Sequence, residues 1–136
     1  MADTLEVLIR LAERKVEEKQ RELAVTQERL AWLANEMVRL QREVEAGFKT
    51  AAGEDDVRVL AAAVAFQERV RRAVDVLKAE EVEKMALEAE QRKDLQALYA
   101  GQKKYELLLE KQKLAQRKER MKKAQTQLDE VAGRKR

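Results

Sequence analysis

The sequence predicts an all-α protein, an antiparallel two-helix coiled-coil hairpin with unequal arms, the second helix much longer. Three observations lead there. The chain of 136 residues has no Pro and only four Gly, so little in it stops a helix. It is 40% charged and holds five aromatic residues, Trp32, Phe48, Phe66, Tyr99 and Tyr105, which suits a long helix or coil rather than a thick core. From Leu5 to Val44, alternating steps of four and three residues pick out Leu5, Ile9, Ala12, Val16, Lys19, Leu23, Thr26, Leu30, Leu33, Met37, Leu40 and Val44, ten of these twelve being apolar. That spacing averages 3.5 residues, the repeat of a coiled-coil seam, and a helix carrying such a seam has to bury it against another.

The elements follow in order, within one coiled-coil domain over residues 1–136. Asp3 is a good N-cap, and Glu6 stands at capping-box spacing from it; the first helix is expected over about residues 4–46. Its two polar seam positions, Lys19 and Thr26, fix register at some cost in stability. Gly47 and Gly53 form the strongest break in the chain, and the acidic run Glu54-Asp55-Asp56 suits a helix start, so the turn is expected over 47–55. The second helix then runs over about 56–132, followed by a basic tail at 133–136. Gly101 alone interrupts it, at about 1 kcal/mol relative to Ala, and marks a bend or a close helix contact. Its first third is apolar on one side (Leu60, Val64, Phe66, Val70, Val74, Leu77). Between Lys78 and Lys93 only Val82, Met85 and Leu87 stand out. The last third carries a seven-residue step, Leu107, Leu114, Met121, Leu128.

Equal rise along both helices sets Val44 opposite about residue 58 and Leu5 opposite about residue 97, leaving roughly 35 residues of the second helix projecting. That projecting end is basic: residues 103–136 hold twelve Lys/Arg against five Asp/Glu. An acidic protein surface, nucleic acid or anionic lipid would each suit it. Nucleic acid is the weaker match, because only Tyr105 offers stacking and glutamates interrupt the basic run. A simple solvated face is the plain alternative.

Nothing points to catalysis. Without His or Cys the chain lacks the usual general base, the thiol nucleophile and the commonest metal ligands. There is no Gly-rich phosphate loop, and the carboxylates at helical spacing (Glu80, Glu81, Glu83, Glu88, Glu90) suit solvated faces. No enzyme, cofactor or metal site is therefore expected. With no signal-peptide pattern and no membrane-length apolar run, the chain is expected to be cytoplasmic.

Two stretches carry a resemblance. Near the N-terminus stands Leu8-Ile-Arg-Leu-Ala-Glu-Arg-Lys-Val-Glu-Glu18; near the C-terminus stand Lys104-Tyr-Glu-Leu-Leu-Leu-Glu-Lys111 and Gln127-Leu-Asp-Glu-Val-Ala-Gly-Arg134. In their order, and with the size and asymmetry of the hairpin, they resemble the flagellar export protein family FliJ over nearly the full length. The resemblance implies a two-helix coiled coil similar to the rotor stalk of rotary ATPases, held at the inner-membrane export apparatus without inserting into the membrane. It implies three kinds of partner: the hexameric export ATPase, the cytoplasmic domain of the export gate, and export chaperones. The N- and C-terminal ends would enter the central pore of the ATPase ring, which would give Leu107, Leu114, Arg117, Lys118, Arg120, Met121 and Leu128 a partner. The gate would take Leu40, Phe66, Val70, Ala73 and Leu77. Where the family surface carries tyrosines late in the first helix, this chain has Glu43 and Gly47. The spacing of Phe66, Val70, Ala73 and Leu77 is equally that of hairpin core. The resulting reading is a connector of a flagellar type III protein export apparatus. Its rivals are the stalk of a virulence-type secretion system, a scaffold that dimerises through Leu107–Leu128, and a nucleic-acid-binding arm.

Overall fold

The computed structural model describes residues 2–134, the side chain of Ala2 excepted. Two helices make up nearly all of it, α1 (Ala2–Ala52) and α2 (Val57–Arg134). They pack against each other as a hairpin with unequal arms, and the described residues contain no strand. Asp3 lies inside the first turn of α1. It therefore meets the positive end of the helix dipole rather than capping it from outside.

The cap of α2 is as the acidic run suggests. The Arg58 amide donates to Asp56 Oδ1 at 2.9 Å, which satisfies one of the free amides that open every helix. The turn is much shorter than 47–55. α1 continues through Gly47 to Ala52, and the chain reverses over 53–56, with Gly53 N donating to the Thr50 carbonyl and Glu54 N to that of Ala51, both at 3.2 Å. No glycine has a positive φ, and a Cβ on Gly47 would meet nothing within 4 Å. Gly47 thus costs helix propensity only. The 4-3 alternation extends to Gly47 and Ala51, and burying Ala51 and half-burying Phe48 offsets that cost.

Contacts divide the chain into two units, one of Met1–Lys19 with Asp94–Arg136, the other of Gln20–Lys93. In the second unit the α1 seam buries Thr26, Leu33, Val44 and Ala51, Leu33 completely. The Thr26 hydroxyl is satisfied within its own helix, donating to the Glu22 carbonyl at 3.2 Å. Opposite it, α2 supplies Phe66, Val70, Val74 and Leu77, then a polar stretch. Glu80, Glu81, Lys84 and Glu88 are half-buried and Gln91 is buried, its Oε1 without a hydrogen-bond partner. Val82 and Met85 face solvent, as Leu87 does at the margin. Arg29 crosses this polar stretch, donating from Nε and Nη2 to the two Glu80 oxygens at 3.0 and 2.9 Å, while its guanidinium lies 4.3 Å from the Trp32 ring centroid.

In the first unit, Ala12 and Val16 are buried against an α2 face formed by Leu95, Leu98, Gln102, Tyr105, Leu109 and Gln112. Lys19 Nζ meets Asp94 at 3.7 Å. The twelve seam positions from Leu5 to Val44 are all buried or half-buried.

The pairing register differs from the expected one. Val44 shares a groove with Gln67, Val70 and Val74 rather than facing residue 58, and Ala12 shares one with Leu98, Gly101 and Tyr105. The cause is the turn. Moving it later along the chain shifts every facing pair by about twice that displacement, because one helix lengthens as the other shortens. The exposed length of α2 shrinks accordingly: every residue from Lys113 to Arg134 is exposed, 22 in all rather than roughly 35.

Two predictions follow from these contacts. Gly47→Ala should raise the thermal midpoint measured by circular dichroism, by the equivalent of up to about 1 kcal/mol; a helix broken at Gly47 would gain nothing. A double-mutant cycle on Arg29→Ala and Glu80→Ala should give a coupling of about 0.5–1 kcal/mol in urea unfolding, shrinking in high salt, since both side chains are partly exposed (42% and 31%).

Candidate functional site

Two surfaces collect the expected partner-binding residues. The first is the end of α2, within the unit that also holds the start of α1. Leu107 is 52% exposed, Leu114 51%, Met121 66% and Leu128 64%. Their direction follows from the neighbours that do face α1. Leu107 lies two residues after Tyr105 and two before Leu109, both half-buried, so at about 100° per residue it points almost directly away from the seam. The seven-residue step carries that direction on through Leu114, Met121 and Leu128. The stripe is therefore not a continuation of the face that meets α1. That face runs on as Gln116, Glu119, Lys123, Thr126 and Glu130, all polar.

Ala124 and Val131 add a second column beside the stripe, and Val131 is 50% exposed. Sequence reasoning passed over them, although their three-residue offset from Met121 and Leu128 is the signal that finds them. The basic residues sit beside this apolar stripe. Arg117 and Lys118 follow Leu114 by three and four residues, and Arg120 and Lys122 flank Met121. Residues 113–134 hold seven Lys/Arg and three Asp/Glu, and two of those acids, Glu119 and Glu130, lie on the opposite, polar face. The result is an apolar strip with a mainly cationic rim, suited to an apolar groove with acidic edges.

The second surface lies near the turn. Its five expected residues do not form one exposed face. Val70 is 6% exposed and belongs to the seam, Leu40, Phe66 and Leu77 are half-buried, and only Ala73 is exposed. Val74, one residue on, takes the inward position that the 4-3-4 spacing assigns to Ala73. The Arg69 guanidinium stands 5.9 Å from the Phe66 ring centroid, so the outer part of that ring lies under a charge rather than in open water. Arg71 donates to Glu68 at 3.0 and 2.6 Å, and this hydrogen bonding holds the Glu68 carboxyl below its usual range. The more exposed apolar residues here are others, Val57, Leu60 and Val64, at 78%, 50% and 50%.

Among the described residues no group of His, Cys, Asp and Glu has the geometry to hold a metal ion. No helix in them is long and apolar enough to cross a membrane. Set beside known proteins, the chain matches the family described as flagellar FliJ protein over residues 1–135. No curated protein and no solved structure matches.

The division between seam and surface near the turn is measurable. Val70→Ala should lower stability by about 1–3 kcal/mol in urea unfolding, as removal of buried methyl groups does. Ala73→Gln should change it by less than about 0.5 kcal/mol.

Proposed function

The chain belongs to the FliJ family, a component of the flagellar export apparatus, and on that premise we propose that it is the connector between the hexameric export ATPase and the cytoplasmic domain of the export gate. The observation that carries this reading is the exposed end of α2. A helix that runs 22 residues with every side chain exposed, and lays an apolar strip between cationic residues along one face, needs a partner to cover it. The ATPase ring is that partner, taking Leu107, Leu114, Met121 and Leu128 into apolar contact and meeting Arg117, Lys118 and Arg120 with acidic groups. The gate takes the region near the turn, through the exposed Ala73 and the exposed parts of the half-buried Leu40, Phe66 and Leu77; Val70 supports that region from within the seam. Export chaperones are a further class of partner. The protein acts by binding and catalyses nothing itself, at the cytoplasmic side of the inner membrane.

The test is biochemical. The purified protein should raise the ATPase activity, or promote the ring assembly, of the cognate export ATPase. Leu114→Asp combined with Met121→Asp should abolish that effect. Both side chains are more than half exposed, so circular dichroism and the thermal midpoint should stay close to those of the unaltered chain. An unaltered protein without effect on the ATPase overturns the assignment.

A further inference from the structure

We infer that two copies of this chain associate side by side and antiparallel through the first turns of α2, as a weak, salt-sensitive dimer. This goes beyond the connector reading and does not rest on it. The run from Val59 to Phe66 is the longest in the chain without a polar residue, and a helix that is apolar all round is normally covered all round. α1 covers only one side of it. Val59, Ala63 and Phe66 are half-buried, whereas Leu60, Ala61, Ala62, Val64 and Ala65 are exposed, as is Val57 before them. Ala61 lies two residues from both Val59 and Ala63, so at about 100° per residue it points almost directly away from α1. Leu60 and Val64 stand together along one side of it. The residues expected to meet the gate, Phe66, Ala73 and Leu77, lie elsewhere round the helix, more than about 100° away.

Charge identifies the occupant as a second copy, because the two ends of this face are complementary to each other. Glu54, Asp55, Asp56 and Arg58 stand at its start with a net charge of −2; Glu68, Arg69, Arg71 and Arg72 stand past its end with a net charge of +2. Direction agrees with the count. Arg71 follows Val64 by seven residues and lies on the same side as Leu60 and Val64, while Glu68 and Arg72 continue the column of Ala61. Arg71 and Arg72 both meet Glu68, at 2.6 and 3.6 Å, so positive charge is in excess there. Asp56 accepts from the Arg58 amide at the very start of α2. A two-fold axis beside Ala62, perpendicular to α2, brings Leu60 of each copy level with Val64 of the other and lays the acidic end of each against the arginines of the other. The alanines between let the two helices approach closely. A parallel pairing would set acid against acid. The contact spans about 16 residues, roughly 24 Å, which is short for a permanent dimer, so the association depends on concentration.

The test is sedimentation equilibrium of the full chain from about 10 μM to about 1 mM, at low and high salt. The share of dimer should rise with concentration and fall with salt. Val64→Lys should weaken the association by about tenfold or more with circular dichroism unchanged, since the side chain is exposed. Arg71→Glu with Arg72→Glu should leave the chain monomeric, and so should Glu54→Lys with Asp55→Lys. An equimolar mixture of these two double variants should dimerise again, because each end then meets the opposite charge; misfolding does not produce that recovery. The proposal is overturned by a native chain that stays monomeric throughout at low salt, by a native dimer that the charge variants do not weaken, or by a mixture that stays monomeric. A dimer dissolved by Leu114→Asp with Met121→Asp overturns it in favour of the far end of α2. A monomeric native chain whose binding to the isolated gate domain is lost in Val64→Lys overturns it in favour of the gate.

Discussion

A two-helix coil has a single line of contact, and each residue either lies on that line or faces water. Here the line is the 4-3 alternation of α1, which reaches from Leu5 through Val44 to Ala51 without a slip. Because it averages 3.5 residues, the paired stretch of α2 stays on it within each unit. The position of the turn, the pairing register and the residue at which α2 becomes fully exposed all follow from keeping that line covered. Gly47 shows how strong the constraint is, since α1 carries the seam straight through it.

The α1 seam was legible because Leu, Ile, Val and Met stand against Arg, Lys, Glu and Gln, and that contrast gives spacing and direction together. The turn was harder to read. Two glycines and an acidic run point to 47–55 by local preference, whereas Phe48 and Ala51 gain enough by burial to keep the chain helical past Gly47. On α2 the difficulty is of another kind. Its inward face includes Gln91, Gln102, Tyr105 and Gln112, and so has little hydrophobic contrast, while its most regular apolar repeat, Leu107 to Leu128, points outward. Periodicity reports that a stripe exists; which way the stripe faces depends on the partner helix. The same limit applies to Ala73 and Val74, where one residue of phase decides which faces α1.

The apolar seam near the turn gives way in mid-hairpin to a polar α2 face spanned by Arg29 and Glu80, and Gln91 stays buried there with one oxygen unpaired. Burying polar groups lowers stability and penalises shifted pairings, since a slip by one heptad would set Glu80 against Glu22 or Glu36 and leave Arg29 opposite Ala73 or Leu87. An otherwise repetitive helix pair thereby acquires a preferred alignment. That alignment matters for a component of an assembly, because it determines which stretch of α2 remains open to partners. The structure thus separates two tasks along the chain, with pairing assigned to α1 and the first part of α2, and an uncovered surface kept for the rest.

Trp32 is the chain's single tryptophan. Its ring lies against the Arg29 guanidinium, which is itself held by Glu80 on the opposite helix. The indole therefore senses whether α1 and α2 are joined at that level. Its emission is an intrinsic optical gauge of local opening in the polar part of the hairpin, with no label attached.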